Sequence, residues 1–366
     1  MRIKFTGLLI ICLVSVLHGQ VVKISASNPL IIYHGRTALQ NNGIAMISSA
    51  SFAELRFSGD SCLLGLSSIA PPGDYNYVAI ELDDQYEGRL KITKAQPMDY
   101  AIVSTKKSSW HLLRVYKATE AQNGLVVFNY IKALKVQRVA APPRKKIEFI
   151  GNSITCGFGN DFKEIPCSSS LKWYDQHNAY WSYASRVARS LGVDFTLSAI
   201  SGAGIYRNWN SDGPTVPQQY ELTYLRFDSL KKWNFSNYVP DMVLIALGTN
   251  DLSDGDGNSA RTSFDSSTFV STYIKFIKSI YNHYPRAQIV LLTSPMLTGE
   301  KAQKLLSCLQ AVRLSVTELN VSMRKIKVFE FKAMHAAGCQ GHPSMQEHEE
   351  LSNELLPFMK QVLKAL

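Results

Sequence analysis

The sequence predicts two domains: an all-β sandwich in residues 20–140 and, in residues 146–366, an α/β/α domain built on a parallel five-stranded sheet. The first part alternates short β-rich runs with turn residues, and the second alternates apolar runs of strand length with helix-like stretches. Residues 141–145 between them begin with Ala141-Pro142-Pro143-Arg144, which indicates a linker. A chain of 366 residues is long enough for two cores.

Residues 1–19 are predicted to be a secretory signal peptide. Arg2 and Lys4 form a positive n-region, residues 8–17 form an apolar run, and Gly19 supplies a small residue at the cleavage point. Since that run is short for a membrane span, a retained membrane anchor is the less favoured alternative. We therefore expect a secreted or periplasmic protein that has no membrane partner once the signal is cleaved.

Residues 20–140 contain β-rich runs of strand length and no long helical period. Examples of these runs are 52–57, 62–66, 77–82, 90–93, 110–116 and 124–131. Turn residues separate them, as in Pro71-Pro72-Gly73-Asp74 and Gln122-Asn123-Gly124. Regular short strands with such turns are typical of an all-β sandwich.

Residues 146–366 contain apolar runs that predict buried parallel strands. These runs are 146–150, 193–200, 242–247, 288–293 and 325–331. The clearest helix-like stretches are 180–191, 264–284, 301–319 and 344–366. Because parallel sheets carry their connecting helices on both faces, this alternation predicts a three-layer α/β/α arrangement.

Composition and charge argue against several classes of function. The chain is 46% hydrophobic and 19% charged, which is ordinary for a globular protein and unlike a disordered chain or a coiled coil. Its formal charge of +10 is spread along the sequence, and the densest cluster, Arg144-Lys145-Lys146, lies at the linker. We expect no nucleic-acid partner, since a solvated junction explains that cluster better than a binding patch.

Four short motifs occur in a fixed order along the second domain. They are Gly151-Asn152-Ser153-Ile154-Thr155, Ser201-Gly202-Ala203-Gly204, Gly248-Thr249-Asn250-Asp251 and Gly341-His342-Pro343. The first three each follow a predicted parallel strand, and ligand sites form at the carboxyl ends of such strands. We therefore expect a serine, a glycine amide, an asparagine amide and a histidine to converge, and these are the parts of an acyl-transfer site.

Each motif alone also has a purely structural interpretation. Ser153 could cap the next helix, Gly202 could belong to an ordinary turn, and the side chain of Asn250 could bond to its own backbone. His342 precedes a proline that suits the first turn of a helix. Only the ordered set therefore predicts a catalytic site.

The ordered set resembles the SGNH hydrolase superfamily over roughly residues 146–366. The resemblance implies a flavodoxin-like α/β/α fold with Ser153 as nucleophile and His342 as base. It also implies an oxyanion hole formed by the backbone amides of Ser153 and Gly202 and the side chain of Asn250. We expect no cofactor, and we expect no metal because no pair of cysteines has zinc-ligand spacing.

A narrower resemblance, to carbohydrate esterase family 2, is carried by the β-rich first domain and by three stretches of the second. These are residues 147–157 around Ser153, Arg207-Asn208-Trp209, and Trp233-Asn234-Phe235 leading to Pro240-Asp241. The resemblance implies a jelly-roll first domain and the removal of acetyl groups from plant-type polysaccharides. A lipase or thioesterase is less favoured, because no strongly apolar lid segment lies near the motifs.

The chain departs from many SGNH hydrolases in the residue that orients the histidine. Many members place an aspartate a few residues before it, whereas this chain has Gln340 and no nearby Asp. The resemblance to carbohydrate esterase family 2 implies a Ser–His dyad in which a backbone carbonyl orients the histidine, and we predict such a dyad here, with the side chain of Gln340 as the other candidate for the group that orients His342. The alternative is a weakened hydrolase, in which case the protein would be a carbohydrate-binding or adhesion protein.

Three further residues are candidates for binding substrate. Tyr206 and Trp209 follow the glycine motif and could stack on a sugar ring, although simple packing is an equal alternative. Met296 follows the fourth predicted strand of the parallel sheet and could line the same edge.

The cysteines predict two disulfides, since an exported protein can form them. Cys156 and Cys167 bracket the loop after the nucleophile motif. Cys308 lies in a predicted helix, and Cys339 lies just before the histidine motif. We expect bridges Cys156–Cys167 and Cys308–Cys339, with Cys62 left over as a small buried apolar residue. The alternative is that all of them are free.

Overall fold

The computed structural model describes residues 20–140, 144–168, 172–226, 229–258, 261–319 and 324–366. The predicted signal peptide and linker residues 141–143 lie outside the described residues. Within the searched part of the chain, no helix has both the length and the apolar character needed to cross a bilayer.

Residues 22–137 form two antiparallel sheets of six strands each. The strands are β1 (Val22–Ser25), β2 (Ile32–His34), β3 (Thr37–Gln40), β4 (Gly43–Met46), β5 (Phe52–Ser58), β6 (Ser61–Ile69), β7 (Asn76–Leu82), β8 (Gln85–Ile92), β9 (Met98–Val103), β10 (His111–Lys117), β11 (Leu125–Ala133) and β12 (Lys135–Gln137). One sheet has the order β3-β4-β11-β6-β9, with β1 also paired to β11. The other has the order β12-β5-β10-β7-β8, with β2 also paired to β5.

The two sheets pack face to face around one apolar core. Leu64, Leu66 and Phe128 from the first sheet share this core with Leu55 and Val115 from the second, and all of them are fully buried. Alternate residues of a strand point to opposite faces, so each sheet buries one face against the other. The prediction of an all-β sandwich is therefore confirmed. β1 to β4, β9 and β12 are not among the runs named above. All of these except β9 have three or four residues, which is too short to show an alternating pattern.

The second part of the chain contains a parallel five-stranded sheet and helices. Its strands are β13 (Lys146–Gly151), β14 (Asp194–Ala199), β15 (Met242–Ile245), β16 (Gln288–Leu292) and β17 (Lys327–Phe329). Its α-helices are α1 (Ser153–Cys156), α2 (Tyr183–Leu191), α3 (Val216–Tyr220), α4 (Ser266–His283), α5 (Gly299–Leu319) and α6 (Met345–Lys364). The sheet order is β14-β13-β15-β16-β17. The order reverses at β13, and in such sheets ligand sites form outside the carboxyl ends of the strands at that point.

Helices cover both faces of this sheet. Val243 and Ile245 of β15 pack into the core that contains residues of α4 and α5, whereas Met242 and Leu244 pack into the core that contains residues of α2 and α6. The alternation along one strand shows why a continuous apolar run is needed when both faces are buried. The predicted three-layer fold is confirmed.

A buried cation connects the sandwich to the α/β/α layer. Arg36, between β2 and β3, is 1% exposed. Its guanidinium donates to the carbonyl oxygens of Leu222 at 2.8 Å and Tyr220 at 2.9 Å, and it lies 4.0 Å from the carboxylate of Glu148. Since a buried charge is costly without partners, these contacts favour one fixed arrangement of the two parts.

Candidate active site

Ser153 is the first residue of α1, and one residue, Asn152, separates it from β13. The helix cap is Asn152, whose side chain accepts a hydrogen bond from the amide of Ile154 at 3.2 Å. Ser153 therefore does not serve as the cap, and its hydroxyl is available for another partner. Only glycine fits at position 151, because an added Cβ would overlap the side chain of Thr155.

The imidazole of His342 joins this hydroxyl to a backbone carbonyl. Its Nε2 lies 2.8 Å from Oγ of Ser153, and its Nδ1 lies 3.1 Å from the carbonyl oxygen of Gln340. A carbonyl only accepts hydrogen bonds, so Nδ1 carries the proton and Nε2 of the neutral ring accepts from the serine hydroxyl. Gln340 has φ of 54°, a left-handed conformation, and its side chain is exposed.

The environment of His342 favours the neutral ring. Burial lowers the pKa of His342 to about 4, and the bond to the carbonyl of Gln340 offsets only part of that effect. The ring stacks on Phe158 with centroids 4.2 Å apart. Among the described residues, no carboxylate is hydrogen-bonded to this imidazole. At neutral pH the ring is therefore uncharged and able to accept a proton.

The ends of three parallel strands lie at the same edge of the sheet. The amide of Ile200 donates to the carbonyl of Gly151 at 3.1 Å, and the amide of Ala246 donates to the carbonyl of Ile150 at 2.9 Å. These bonds continue the pairing of β13 with β14 and β15 just beyond the strands. The serine, glycine and asparagine motifs therefore all start from one edge.

The glycine and asparagine motifs are bonded to each other. Nδ2 of Asn250 donates to the carbonyl of Ala203 at 2.8 Å. The buried carboxylate of Asp251 accepts from the amides of Ile205 and Tyr206 at 3.0 and 2.9 Å. Gly202 has φ of 74°, a conformation that favours glycine, and no atom would contact an added Cβ within 4 Å. The glycine turn is thus open on the side where a side chain would project.

A cavity of about 480 Å³ lies beside the glycine turn. Its lining includes Gln122, Phe158, Trp173, Gly202, Trp209 and Gln340. The indoles of Trp173 and Trp209 are 38% and 41% exposed, so both offer an aromatic face to a ligand. The amide of Trp209 donates to the carbonyl of Gly202 at 2.8 Å, which holds this tryptophan against the turn.

Two of the predicted substrate residues do not line this cavity. The ring of Tyr206 packs against Phe264 and Phe269, and its hydroxyl accepts from the amide of Asp265 at 3.0 Å. Met296 is half-buried against the core on the α2 and α6 side of the sheet. Neither residue lines the cavity beside Gly202, so the structure brings only Trp209 of the three to it.

Sequence reasoning missed four residues at this site: Glu120, Gln122, Phe158 and Trp173. Glu120 and Gln122 belong to the sandwich, about eighty residues before the turn that they contact. Phe158 and Trp173 lie in the loop after α1, which has no regular pattern. The only sequence signal was the aromatic content of that loop.

The predicted disulfide pairs are wrong. The bridge joins Cys167 to Cys339, while Cys62, Cys156 and Cys308 are buried free thiols, as expected only for Cys62. The thiol of Cys156 points to the carboxylate of Glu120 at 3.6 Å, and Cys308 packs in the core between α4 and α5. The prediction paired cysteines that are near in sequence, but the two bonded loops meet only in the folded chain.

The bridge lies next to the catalytic pair. Cys339 begins the short 3-10 turn that ends just before His342, and its amide donates to the carbonyl of Gly159 at 2.9 Å. The loop after α1 is therefore tied to the histidine loop both covalently and by a hydrogen bond. Among the residues that the structure describes, no three His, Cys, Asp or Glu side chains are grouped to hold a metal ion.

Two segments of the chain match known protein families. Residues 149–344 match the GDSL-like Lipase/Acylhydrolase family, and residues 33–143 match the family described as Carbohydrate esterase 2 N-terminal. The chain is 26% identical over 349 residues to an acetylxylan esterase / glucomannan deacetylase of Cellvibrio japonicus (strain Ueda107), covering 93% of this chain and 91% of that protein. It is 32% identical over 346 residues to the cellulase/esterase CelE of Acetivibrio thermocellus, covering 92% of this chain and 40% of that protein.

The fold also matches a solved structure over most of this chain. That structure is a family two carbohydrate esterase from Clostridium thermocellum in complex with cellohexaose. The superposition has a TM-score of 0.80 at 30% sequence identity and covers 92% of this chain and 100% of that chain. The likeness thus includes both the sandwich and the α/β/α layer.

Proposed function

Because this chain belongs to the GDSL-like lipase/acylhydrolase family and is a serine esterase of the family two carbohydrate esterases, we propose that it removes acetyl groups from polysaccharides or oligosaccharides. One observation carries the proposal. Nε2 of His342 lies 2.8 Å from Oγ of Ser153, while Nδ1 is bonded to the carbonyl of Gln340. This is the arrangement of a nucleophile and its base, with the base held in the required tautomer.

The reaction proceeds through an acetyl-enzyme. His342 takes the proton of Ser153 as Oγ attacks the acetyl carbonyl carbon, and the carbonyl oxygen becomes an oxyanion. When the tetrahedral intermediate collapses, the C–O bond to the sugar breaks and His342 returns the proton to the departing hydroxyl oxygen. A water molecule then attacks the acetyl-enzyme by the same steps, which releases acetate and restores the serine.

The oxyanion needs donors that are in place before the reaction. The proposed donors are the backbone amides of Ser153 and Gly202 and the side-chain amide of Asn250. Asn250 uses one N–H for the carbonyl of Ala203, and a primary amide has a second N–H to offer. Orientation of His342 by a carbonyl supports a dyad, because no charged partner is needed to set the tautomer.

The cavity beside Gly202 supports a carbohydrate as the acyl carrier. Trp173 and Trp209 are partly exposed there, and indole faces stack well on the apolar faces of sugar rings. The relatives named above are an acetylxylan esterase / glucomannan deacetylase and a cellulase/esterase, and the solved structure is a complex with cellohexaose, so we propose an acetylated plant-type polymer or oligomer as substrate. The adhesion alternative is less favoured, because the contact between Ser153 and His342 is intact.

We further propose that the protein is exported, with residues 1–19 removed as a signal peptide, a sandwich domain in residues 20–140 and an esterase domain in residues 146–366. The positively charged residues at the N-terminus and the short apolar run that follows them support export. N-terminal sequencing of the protein recovered from the producing cells is expected to begin near Gln20. A chain that retains Met1 in the mature protein would contradict this proposal.

The test of the proposed activity compares esters of different chain length. We expect hydrolysis of 4-nitrophenyl acetate and release of acetate from acetylated xylan, with far lower rates on a long-chain 4-nitrophenyl ester. Ser153→Ala is expected to abolish the reaction, and His342→Ala to be nearly as damaging, since an unassisted serine is a weak nucleophile. The matched controls are Ser271→Ala on α4 and His335→Ala, both at exposed positions. Ser153→Ala that keeps a tenth of wild-type turnover would contradict the proposal.

A further inference from the structure

The sandwich reaches the glycine turn through the connection between β10 and β11. This connection contains the 3-10 helix Ala121–Asn123, with Glu120 just before it. The carboxylate of Glu120 accepts from the amide of Ser201 at 2.9 Å and from its hydroxyl at 2.6 Å. Nε2 of Gln122 donates to the carbonyl of Ser201 at 3.2 Å. The amide, hydroxyl and carbonyl groups of Ser201 are therefore all hydrogen-bonded to residues of the sandwich.

The carbonyl of Ser201 and the amide of Gly202 belong to the same peptide unit. This unit is trans, because the described chain contains no cis peptide bond. In a planar trans peptide the C=O and the N–H point in opposite directions. The side chain of Gln122, by holding the carbonyl on one side, therefore directs the N–H of Gly202 to the other side.

A glycine makes this constraint necessary. Gly202 has φ of 74°, and glycine visits both signs of φ at little cost. The 201–202 peptide is thus freer to rotate than one between residues with side chains. A rotation would turn the Ser201 carbonyl, an acceptor, toward the position where the N–H is needed. The bond from Gln122 opposes that rotation.

Glu120 is itself held rigidly. Its side chain is fully buried, and its carboxylate also accepts from the thiol of Cys156 at 3.6 Å, in the helix that begins with Ser153. The ammonium of Lys117 donates to the carbonyls of Thr119 at 3.0 Å and Glu120 at 2.6 Å. The carboxylate of Glu120 thus contacts both α1, which begins with the nucleophile, and the glycine turn.

We propose that Gln122, supported by Glu120, is a positioning residue that aims the Gly202 N–H at the oxyanion, which makes the sandwich a part of the catalytic apparatus. The inference rests on the proposed function, in which this N–H is an oxyanion donor. It differs from a substrate-binding role for Gln122, which also lines the cavity. A positioning residue acts on the transition state, whereas a group that binds sugar acts on the ground state as well.

The experiment uses variants of Gln122 in the full chain. Gln122→Glu has nearly the same shape but has no N–H and repels the carbonyl of Ser201, Gln122→Ala removes the group, and Gln122→Lys restores a donor. The matched control is Gln137→Glu, which adds the same charge at an exposed position of β12. Turnover is expressed per active site titrated with an organophosphonate, so that any unfolded fraction does not contribute.

We expect kcat on 4-nitrophenyl acetate to fall about 10- to 100-fold in Gln122→Glu and Gln122→Ala, less than the about 10²–10³ that follows complete loss of one donor. KM is expected to change less than about threefold. The Ki of methylboronic acid, which forms a tetrahedral anionic adduct with a reactive serine, is expected to rise in parallel with the loss of kcat. Gln122→Lys is expected to regain part of the rate, and Gln137→Glu to match the wild type.

Two outcomes would overturn the inference. A raised KM with wild-type kcat and unchanged boronate affinity would make Gln122 a substrate contact, and unchanged kinetics in all variants would mean that Gly202 needs no such support. Failure of the proposed function is a separate result. In that case the wild-type protein would show no turnover that depends on Ser153, whatever the state of Gln122.

Discussion

The backbone carbonyl of Gln340 lies 3.1 Å from Nδ1 of His342 and determines which nitrogen of the ring faces Ser153. A backbone group does this because Gln340 has φ of 54° and ψ of 36°, a left-handed conformation in which its carbonyl is directed at the ring two residues later. In a triad a buried aspartate orients the histidine and stabilises the imidazolium. Here the carbonyl supplies the orientation but no full charge.

Removal of the Gln340 side chain is therefore expected to matter little. We expect Gln340→Ala to lower kcat by about tenfold or less, because the carbonyl remains, against about 10⁴ when a triad has the wrong tautomer. The measurement is kcat on 4-nitrophenyl acetate, with Gln346→Ala at an exposed position of α6 as control. A loss of several thousandfold would make the side chain itself the orienting group.

The rate is expected to remain high in mildly acidic solution. The base must be neutral to accept a proton, and burial lowers the pKa of His342 to about 4. kcat/KM is therefore expected to be constant from neutral pH downward and to fall only near pH 4. Circular dichroism at each pH separates titration from unfolding.

A carboxylate near the ring would shift this profile. Gln340→Asp is expected to raise the pKa of His342, because a nearby negative charge favours the imidazolium, and so to move the acid limb to higher pH. In the wild-type protein, a fall of kcat/KM that is already centred near pH 6.5 would contradict the lowered pKa of His342.

Loss of the Asn250 amide is expected to affect mainly the transition state. We expect Asn250→Ala to lower kcat by about 10²–10³, with a smaller change in KM. The exposed Asn258 offers the matched control Asn258→Ala. An effect confined to KM would mean that Asn250 binds the substrate before reaction. A lowered melting temperature would instead reflect its bond to the carbonyl of Ala203.

Peptide mapping without reduction is expected to find Cys167 linked to Cys339. The thiols of Cys62, Cys156 and Cys308 are expected to resist alkylation until the protein is unfolded, since all three are buried. Cys167→Ser is expected to lower the free energy of unfolding by about 2–4 kcal/mol, because the bridge closes a long loop. Activity is expected to fall as well, because Cys339 lies in the loop that carries His342. A peptide linking Cys156 to Cys167 would contradict this assignment.

Local patterns were sufficient to predict the architecture. The run 264–284, for example, has the periodicity of one helix, and the structure has α4 over Ser266–His283. The apolar runs likewise predicted all five strands of the parallel sheet, because strands buried on both faces need an unbroken apolar sequence. The ordered motifs led to the SGNH resemblance, and the β-rich first domain with three stretches of the second led to the family two esterase resemblance. The family matches confirm both.

The tertiary structure alone decided the features that depend on contacts between distant segments. The amino-acid sequence by itself determined the longer strands of the sandwich, the parallel strands, the long helices and which motifs follow which strands, because these depend on neighbours within a few residues. It did not determine that Cys167 pairs with Cys339. Nor did it show that Tyr206 packs away from the cavity or that Glu120 and Gln122 of the sandwich hold Ser201. Those contacts exist only because the two parts of the chain pack together, and no local pattern encodes the distance between groups on separate elements.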